Sequence, residues 1–234
     1  MFLSTLKDLR QPYTAVEAWL YDRVVAPAVE AIELTAFDSY LEHVPRDGTL
    51  VEVGCGGGQL LAAVAERRRD LSLVGVDLSP GQVARARQRL ARHHDRARVV
   101  VGSALDLPLA SASADAVVSV ASIKHWPEPD RGLRECARLL RPGGALLVAE
   151  ADRGCRIDDA ARFVAKTRVP RALRPLALAG FRTVVTGQSF DLEDARELAA
   201  RAGLADAAVT RVPGAPAWQL AWVAPGGSGA AVAG

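Results

Sequence analysis

Four glycines fall within five residues at Gly54-Cys55-Gly56-Gly57-Gly58, between the apolar run Leu50-Val51-Glu52-Val53 and an amphipathic stretch that begins at Gln59. The pattern predicts a buried strand over Leu50–Val53, a turn, and a helix over Gln59–Arg68. A turn alone does not require so many glycines. Glycine lets main chain approach a ligand more closely than any β-carbon permits, and the following helix start offers unpaired N–H groups, so the segment reads as a nucleotide-binding loop. A dinucleotide fingerprint, GxGxxG, would need glycine at its sixth position, where this chain has Gln59.

Downstream, apolar runs and helical patterns alternate. Strands are expected at Leu73–Val76, Arg98–Val101, Ala116–Val120 and Ala145–Glu150. Helices are expected at Pro80–His94 and Asp130–Leu140, with a short loop or helix at Ala104–Pro108. Arg141–Gly144 reads as a turn with Gly143 or Gly144 at positive φ. Such alternation implies right-handed crossovers and a parallel sheet covered on both faces. Residues 151–190 interrupt the rhythm with a helix at Asp158–Lys166 followed by Pro170 and Pro175, and read as an insertion covering the site. Helix Leu192–Ala202 and strands Ala207–Val212 and Trp218–Ala224 complete the pattern, with a disordered tail from Pro225 to Gly234.

The chain of 234 residues suits one large α/β domain. Its parts are a helical cap (1–47), a core (48–150), a lid (151–190), the end of the sheet (191–224) and the tail (225–234). A net charge of +2 does not point to nucleic acid. The arginines from Arg85 to Arg98 read as the solvated face of a helix. Cys55, Cys136 and Cys155 lack disulfide or zinc spacing and fit a reducing cytoplasm. No apolar run is long enough to span a membrane and the first residues do not form a signal peptide. His43, His93, His94 and His125 show no ligand spacing, so no metal is expected. Nothing in the sequence specifies an oligomeric state.

Glu52, Gly54, Gly56 and Gly58 match the acidic-x-G-x-G-x-G signature of class I S-adenosylmethionine-dependent methyltransferases. Val74-Gly75-Val76-Asp77 follows, and four ordered segments extend the match: Gly102-Ser103-Ala104-Leu105-Asp106-Leu107-Pro108, Asp115 to Val120, His125-Trp126-Pro127-Glu128-Pro129 and Leu139-Leu140-Arg141-Pro142-Gly143-Gly144. Over roughly residues 48–150 the chain resembles the ubiquinone/menaquinone-biosynthesis-type small-molecule methyltransferases. The resemblance implies a Rossmann-like fold, with a mostly parallel seven-stranded sheet, helices on both faces, an N-terminal helical cap and an insertion after strand 5.

The same resemblance implies a cofactor site. Asp77 would accept the ribose hydroxyls, although taken alone it could equally cap the helix beginning near Pro80. Leu78 would pack on adenine, Glu52 would lie near the methionine amino group, and the backbone at Val120 and Ala121 would face the methionine part. Cys55 contributes main chain within the loop. Relatives usually have G-D-A where this chain has Gly102-Ser103-Ala104, which leaves adenine to the Ser103 hydroxyl and the Ala104 N–H. Asp106 is expected to cap the following turn, and Asp115 to orient the start of its strand.

The implied reaction is an in-line displacement in which an O, C or N nucleophile of a small molecule attacks an activated methyl group. Alignment and exclusion of water then dominate, and a base is needed only where the nucleophile carries a proton. His125 is the candidate base, against a role in fixing its loop. Tyr13 is a second candidate for contact with cofactor or substrate, against packing with Trp19 and Tyr21 in the cap. Lys124 reads as a solvated charge, and Arg153, Phe163, Arg168, Phe181, Arg182 and Gln188 are candidates to shape the acceptor pocket. Two alternatives stand beside this reading: a non-catalytic S-adenosylmethionine-binding or regulatory module, and an NAD-dependent oxidoreductase. Gln59 and the lack of an evident Tyr-x-x-x-Lys pair oppose the latter.

Overall fold

The computed structural model of the chain describes Phe37 and residues 40–226. The cap residues Tyr13, Trp19 and Tyr21, and most of the tail, lie outside these. Strand β1 (Thr49–Val53) leads through the glycine turn into helix α1 (Gln59–Arg67), followed by β2 (Ser72–Asp77), α2 (Pro80–Arg89), β3 (Ala97–Val101) and β4 (Ala114–Val120). Helix α3 (Pro129–Leu139) and the long β5 (Leu140–Ala151) come next. A helical segment with α4 (Ile157–Lys166) and α5 (Arg174–Gly180) precedes α6 (Leu192–Arg201), β6 (Ala208–Arg211) and β7 (Ala217–Val223).

The strands form one seven-stranded sheet in the order β3-β2-β1-β4-β5-β7-β6. All pairings from β3 to β5 are parallel, and β7 runs antiparallel to both β5 and β6. Alternation along the strands sorts the side chains between two cores. Val51, Val53, Val117, Leu146 and Val148 face Leu133 and Cys136 of α3 and Ala195 and Leu198 of α6. Leu50, Ala116, Val118 and Leu147 face Leu61 and Val64 of α1 and Val83 and Ala86 of α2. Helices of nine or ten residues, such as α1 and α2, are marginal in isolation, so this burial is what holds them.

Local chemistry sets the helix starts. Pro80 and Pro129 occupy early helical positions, where a missing N–H costs nothing. Asp191 and Asp194 form a reciprocal capping box on α6. Helix α2 stops at Arg89, short of the expected His94, because Leu90 buries against the core and the chain turns back through Ala91–His93. Strand β5 starts earlier than expected: Leu140 pairs with Ala114 across a register shift, and Gly143, at φ 79°, accommodates the turn within the strand.

The Arg85–Arg98 cluster is a solvated face as expected, with Arg87, Arg89, Arg92 and Arg98 exposed, and several of its members also bond main chain. Arg87 donates to the Val99 carbonyl at 2.9 Å, Arg96 to Ala65 at 2.5 Å, and Arg89 to Gly57. Asp115 fulfils its expected role at the start of β4, accepting from Thr49 N at 2.8 Å and pairing with Arg141.

After β5, Phe163 and Phe181 stack with centroids 4.8 Å apart in a small cluster with Val164, Ala177 and Leu178, separate from the two sheet cores. Arg153 is engaged elsewhere. It pairs with Asp191 and Asp194 at 2.7 and 2.6 Å, which fastens the start of the segment to α6. Arg168, Arg182 and Gln188 are exposed.

Tyr40, from the end of a helix preceding β1, is fully buried, and its hydroxyl donates to the Ala145 carbonyl at 2.6 Å with the Val117 carbonyl at 3.1 Å. Tyr40→Phe leaves those buried acceptors without their donor. The variant is expected to lose about 1–3 kcal/mol in a urea unfolding titration.

Candidate functional site

The order of the strands reverses between β1 and β4, so their crossovers leave in opposite directions and open a crevice at the carboxyl edge of the sheet. The glycine turn lines it. Gly54 N and Cys55 N both donate to the Val76 carbonyl, at 2.8 and 3.1 Å, which ties the turn to the end of β2. Gly54, Gly56 and Gly58 all take positive φ, at 76°, 50° and 75°.

Their surroundings differ. A β-carbon on Gly54 would overlap the Ser122 hydroxyl, and one on Gly58 would lie 3.0 Å from the Ala86 β-carbon. One on Gly56 would meet no described atom nearer than Gln82 Nε2 at 4.0 Å. Gly54 and Gly58 thus serve close packing, and Gly56 presents open main chain. The Cys55 side chain is buried, and a β-carbon on Gly75 would come 2.8 Å from its sulfur. Burial, then the nearby charges of Glu52 and Asp77, push its thiol well up, so it stays neutral. Glu52 is buried at the carboxyl end of β1.

Asp77 is the acid most closely joined to the turn. Its Oδ2 accepts from Gly56 N at 2.8 Å and its Oδ1 from Ser79 N at 2.9 Å. Helix α2 is capped by Ser79, whose hydroxyl accepts from Gln82 N at 3.4 Å. Burial raises the Asp77 carboxyl, opposed by the two N–H donors. Each oxygen keeps acceptor capacity for a further donor. Beside it Leu78 is 60% exposed, a large apolar side chain at the mouth of the crevice.

Beyond β3, Ser103 Oγ accepts from Leu105 N at 3.1 Å, which leaves its hydroxyl proton without an acceptor among the described residues. Asp106 contributes main chain here, donating from N to the Ser103 carbonyl at 3.2 Å, so the loop is capped by Ser103 and not by the Asp106 side chain. Half-buried Ala104 lies between them. Helix α3 grips this loop. Glu135 Oε2 accepts from Leu107 N at 2.9 Å, and Arg138 donates to the Leu107 and Leu109 carbonyls at 3.0 and 2.9 Å.

The third side of the crevice is the end of β4. Half-buried Val120 leads to Ala121, which adopts φ 50° and donates to the Ala149 carbonyl at 2.8 Å. Ser122 receives the Trp126 indole N–H at 3.1 Å. His125 ends the short turn Ile123–His125, its N–H on the Ser122 carbonyl at 2.9 Å. Lys124 is not the solvated charge expected. Its side chain is 7% exposed and bonded at 2.7 Å to Glu150, whose own side chain is fully buried. Tyr13 lies outside the described residues. Among those described, no cluster of three or more His, Cys, Asp or Glu could hold a metal ion, and no helix is long and apolar enough to cross a membrane.

Residues 51–148 match the family model described as methyltransferase domain. That match covers less than half of the chain, and over it the sequence is similar to methyltransferase domains. Over 190 residues it is 33% identical to "Methyltransferase GfsG" of Streptomyces halstedii, covering 80% of this chain and 63% of that protein. Its fold resembles a SAM-dependent methyltransferase from Aquifex aeolicus, with TM-score 0.67 and 13% identity over 91% of this chain and 99% of that one. It also resembles the O-methyltransferase NcsB1 from neocarzinostatin biosynthesis, solved with S-adenosyl-L-homocysteine and 1,4-dihydroxy-2-naphthoic acid. That match has TM-score 0.59 and 28% identity, over 89% of this chain and 59% of that one. The chain spans less than two thirds of the length of the curated relatives it matches.

The sequence reading missed three contacts around this crevice: Ser122 against Gly54, the Lys124–Glu150 pair, and the hold of Glu135 and Arg138 on the loop after β3. Only the last had a local signal, an i,i+3 pair of opposite charge on one helix. Arg138 holds the Glu135 carboxyl below the usual carboxylate range, helped by the Leu107 N–H. A depressed folded pKa stabilises above the unfolded value, and that stability is lost as pH falls through the folded one. Glu135→Gln is therefore expected to cost about 1 kcal/mol at neutral pH and little in acid, by denaturation at both pH values.

Proposed function

We propose that this chain transfers the methyl group of S-adenosylmethionine to a nucleophile on a small molecule. The observation that carries the proposal is the convergence, at one crevice, of the open main chain at Gly56, the Asp77 carboxylate with spare acceptor capacity, and exposed Leu78.

These residues fit the cofactor. Asp77 accepts the ribose hydroxyls, Leu78 covers the adenine ring, and the Ser103 hydroxyl and Ala104 N–H meet the adenine edge. Gly54, Cys55, Gly56 and Gly58 bring main chain against the ligand, with Glu52 near the amino group and Val120 and Ala121 beside the methionine part. When bound, the cofactor supplies a methyl group already activated on a positive sulfonium. The chain's own work is to hold that group, align the acceptor and keep water out, which can be worth about 7–11 kcal/mol.

The acceptor side is formed by residues 151–190 as a lid after β5. An oxygen nucleophile on a hydroxylated ring is the first class to test, supported by the naphthoic acid bound to NcsB1. Nucleic acid is not the acceptor in this reading. Three cysteines without disulfides suit a reducing location such as the cytoplasm.

The test is label transfer from methyl-tritiated S-adenosylmethionine to a panel of phenols, hydroquinones and naphthols. Transfer is expected, with Asp77→Ala raising the cofactor KM about 10- to 100-fold. His125→Asn separates the two roles weighed for that residue. Loss of the acid limb of the rate–pH profile assigns it as base, and an unchanged profile assigns it to the loop. A protein that binds S-adenosylhomocysteine yet labels neither small molecules nor RNA would be a binding module instead.

A further inference from the structure

Lys124 and Glu150 form an ion pair almost wholly removed from solvent at the carboxyl edge of the sheet. Glu150 Oε1 accepts from Lys124 Nζ and from Ala151 N, both at 2.7 Å, and its Oε2 lies 3.4 Å from Lys124 N. Desolvation largely offsets the attraction within a buried pair, so net stability does not explain why the fold keeps one here. Its placement offers a different account.

Lys124 sits in the short turn after β4, and both its main chain and its side chain are fastened to Glu150, near the end of β5. The turn begins with Ala121 at φ 50°, a conformation that a β-carbon disfavours and that needs outside contacts to persist. One residue on, Ser122 packs so closely on the first glycine of the cofactor turn that no β-carbon fits there. The Trp126 indole N–H donates to the Ser122 hydroxyl. A continuous line of contacts therefore runs from Glu150 through Lys124 and Ser122 to Gly54. Asp77 meets the same turn two residues on, at Gly56, without contacting Lys124 or Glu150, and the loop gripped by Glu135 and Arg138 lies outside that line.

We infer that Lys124 and Glu150 are positioning residues for the methionine end of the cofactor. They set the turn that presses Ser122 on Gly54, while the adenosine end is held separately by Asp77, Leu78 and the loop after β3. The inference rests on the cofactor reading above and makes a claim that reading does not contain: the two ends of the ligand answer to different parts of the protein.

Calorimetric titration with two ligands tests it. S-adenosylhomocysteine carries both ends, and 5′-methylthioadenosine keeps the adenosine and thioether but lacks the amino-acid part. Lys124→Met and Glu150→Gln are each expected to weaken S-adenosylhomocysteine about tenfold or more while leaving 5′-methylthioadenosine within about twofold of the native value. Lys124→Arg, which keeps the charge, should recover part of the loss. Where circular dichroism shows a single variant unfolded, Lys124→Met/Glu150→Gln, with no uncompensated charge left behind, is measured in its place with the same expectation. Equal weakening of both ligands, or unchanged S-adenosylhomocysteine affinity in a folded variant, would overturn the positioning role alone. A native protein that binds neither ligand overturns the cofactor reading and this inference with it.

Discussion

The hydrogen bond from Gly56 N to the Asp77 carboxylate joins the two strand ends on which the site depends. It can form because β1 and β2 run parallel in register and finish level, Val53 beside Val76. The glycine turn then leaves β1 with its first N–H groups already committed to the Val76 carbonyl. This cross-strand bonding gives the positive φ values of Gly54, Gly56 and Gly58 a fixed frame. The same bond holds the carboxylate toward the crevice despite the desolvation that raises its pKa. Fold and site are here one set of contacts.

Much of this was legible in the sequence because it is local. The glycine turn, the acid ending β2 and the alternation of strand and helix all lie within segments of a few residues, and their periods are imposed by the main chain. The expected sheet is present with its seven strands, and helices α1, α2 and α3 lie between successive strands, whereas β3 passes to β4 through a loop. Helix α2 ended early and β5 began early for tertiary reasons. The burial of Leu90 and the pairing of Leu140 with Ala114 are set by partners distant in sequence.

The misread residues were charged side chains whose partners lie far along the chain. Lys124 was read as a solvated charge, yet it is bonded to Glu150, which stands 26 residues away on the adjacent strand. Arg153, one of six candidates to shape the pocket, pairs with Asp191 and Asp194, 38 and 41 residues away. Arg96 was read with its neighbours as a surface face, and it is half-buried and donates to the Ala65 carbonyl. Arginine and lysine carry long apolar stems and several donors, so their exposure depends on what the fold brings near them. Asp77 was ambiguous for a different reason. A carboxylate just before a helix can cap it, and only the Ser79 cap settles which residue does so.

The central claim is that the crevice at the switch point receives S-adenosylmethionine through Asp77. A crystal structure with S-adenosylhomocysteine tests it most directly. The account predicts both ribose hydroxyls on the Asp77 carboxylate, the adenine ring against Leu78, and the ligand main axis running past Gly56 toward Ala121. A ligand bound elsewhere, or one in this crevice with Asp77 still turned only to Gly56 and Ser79, would contradict it.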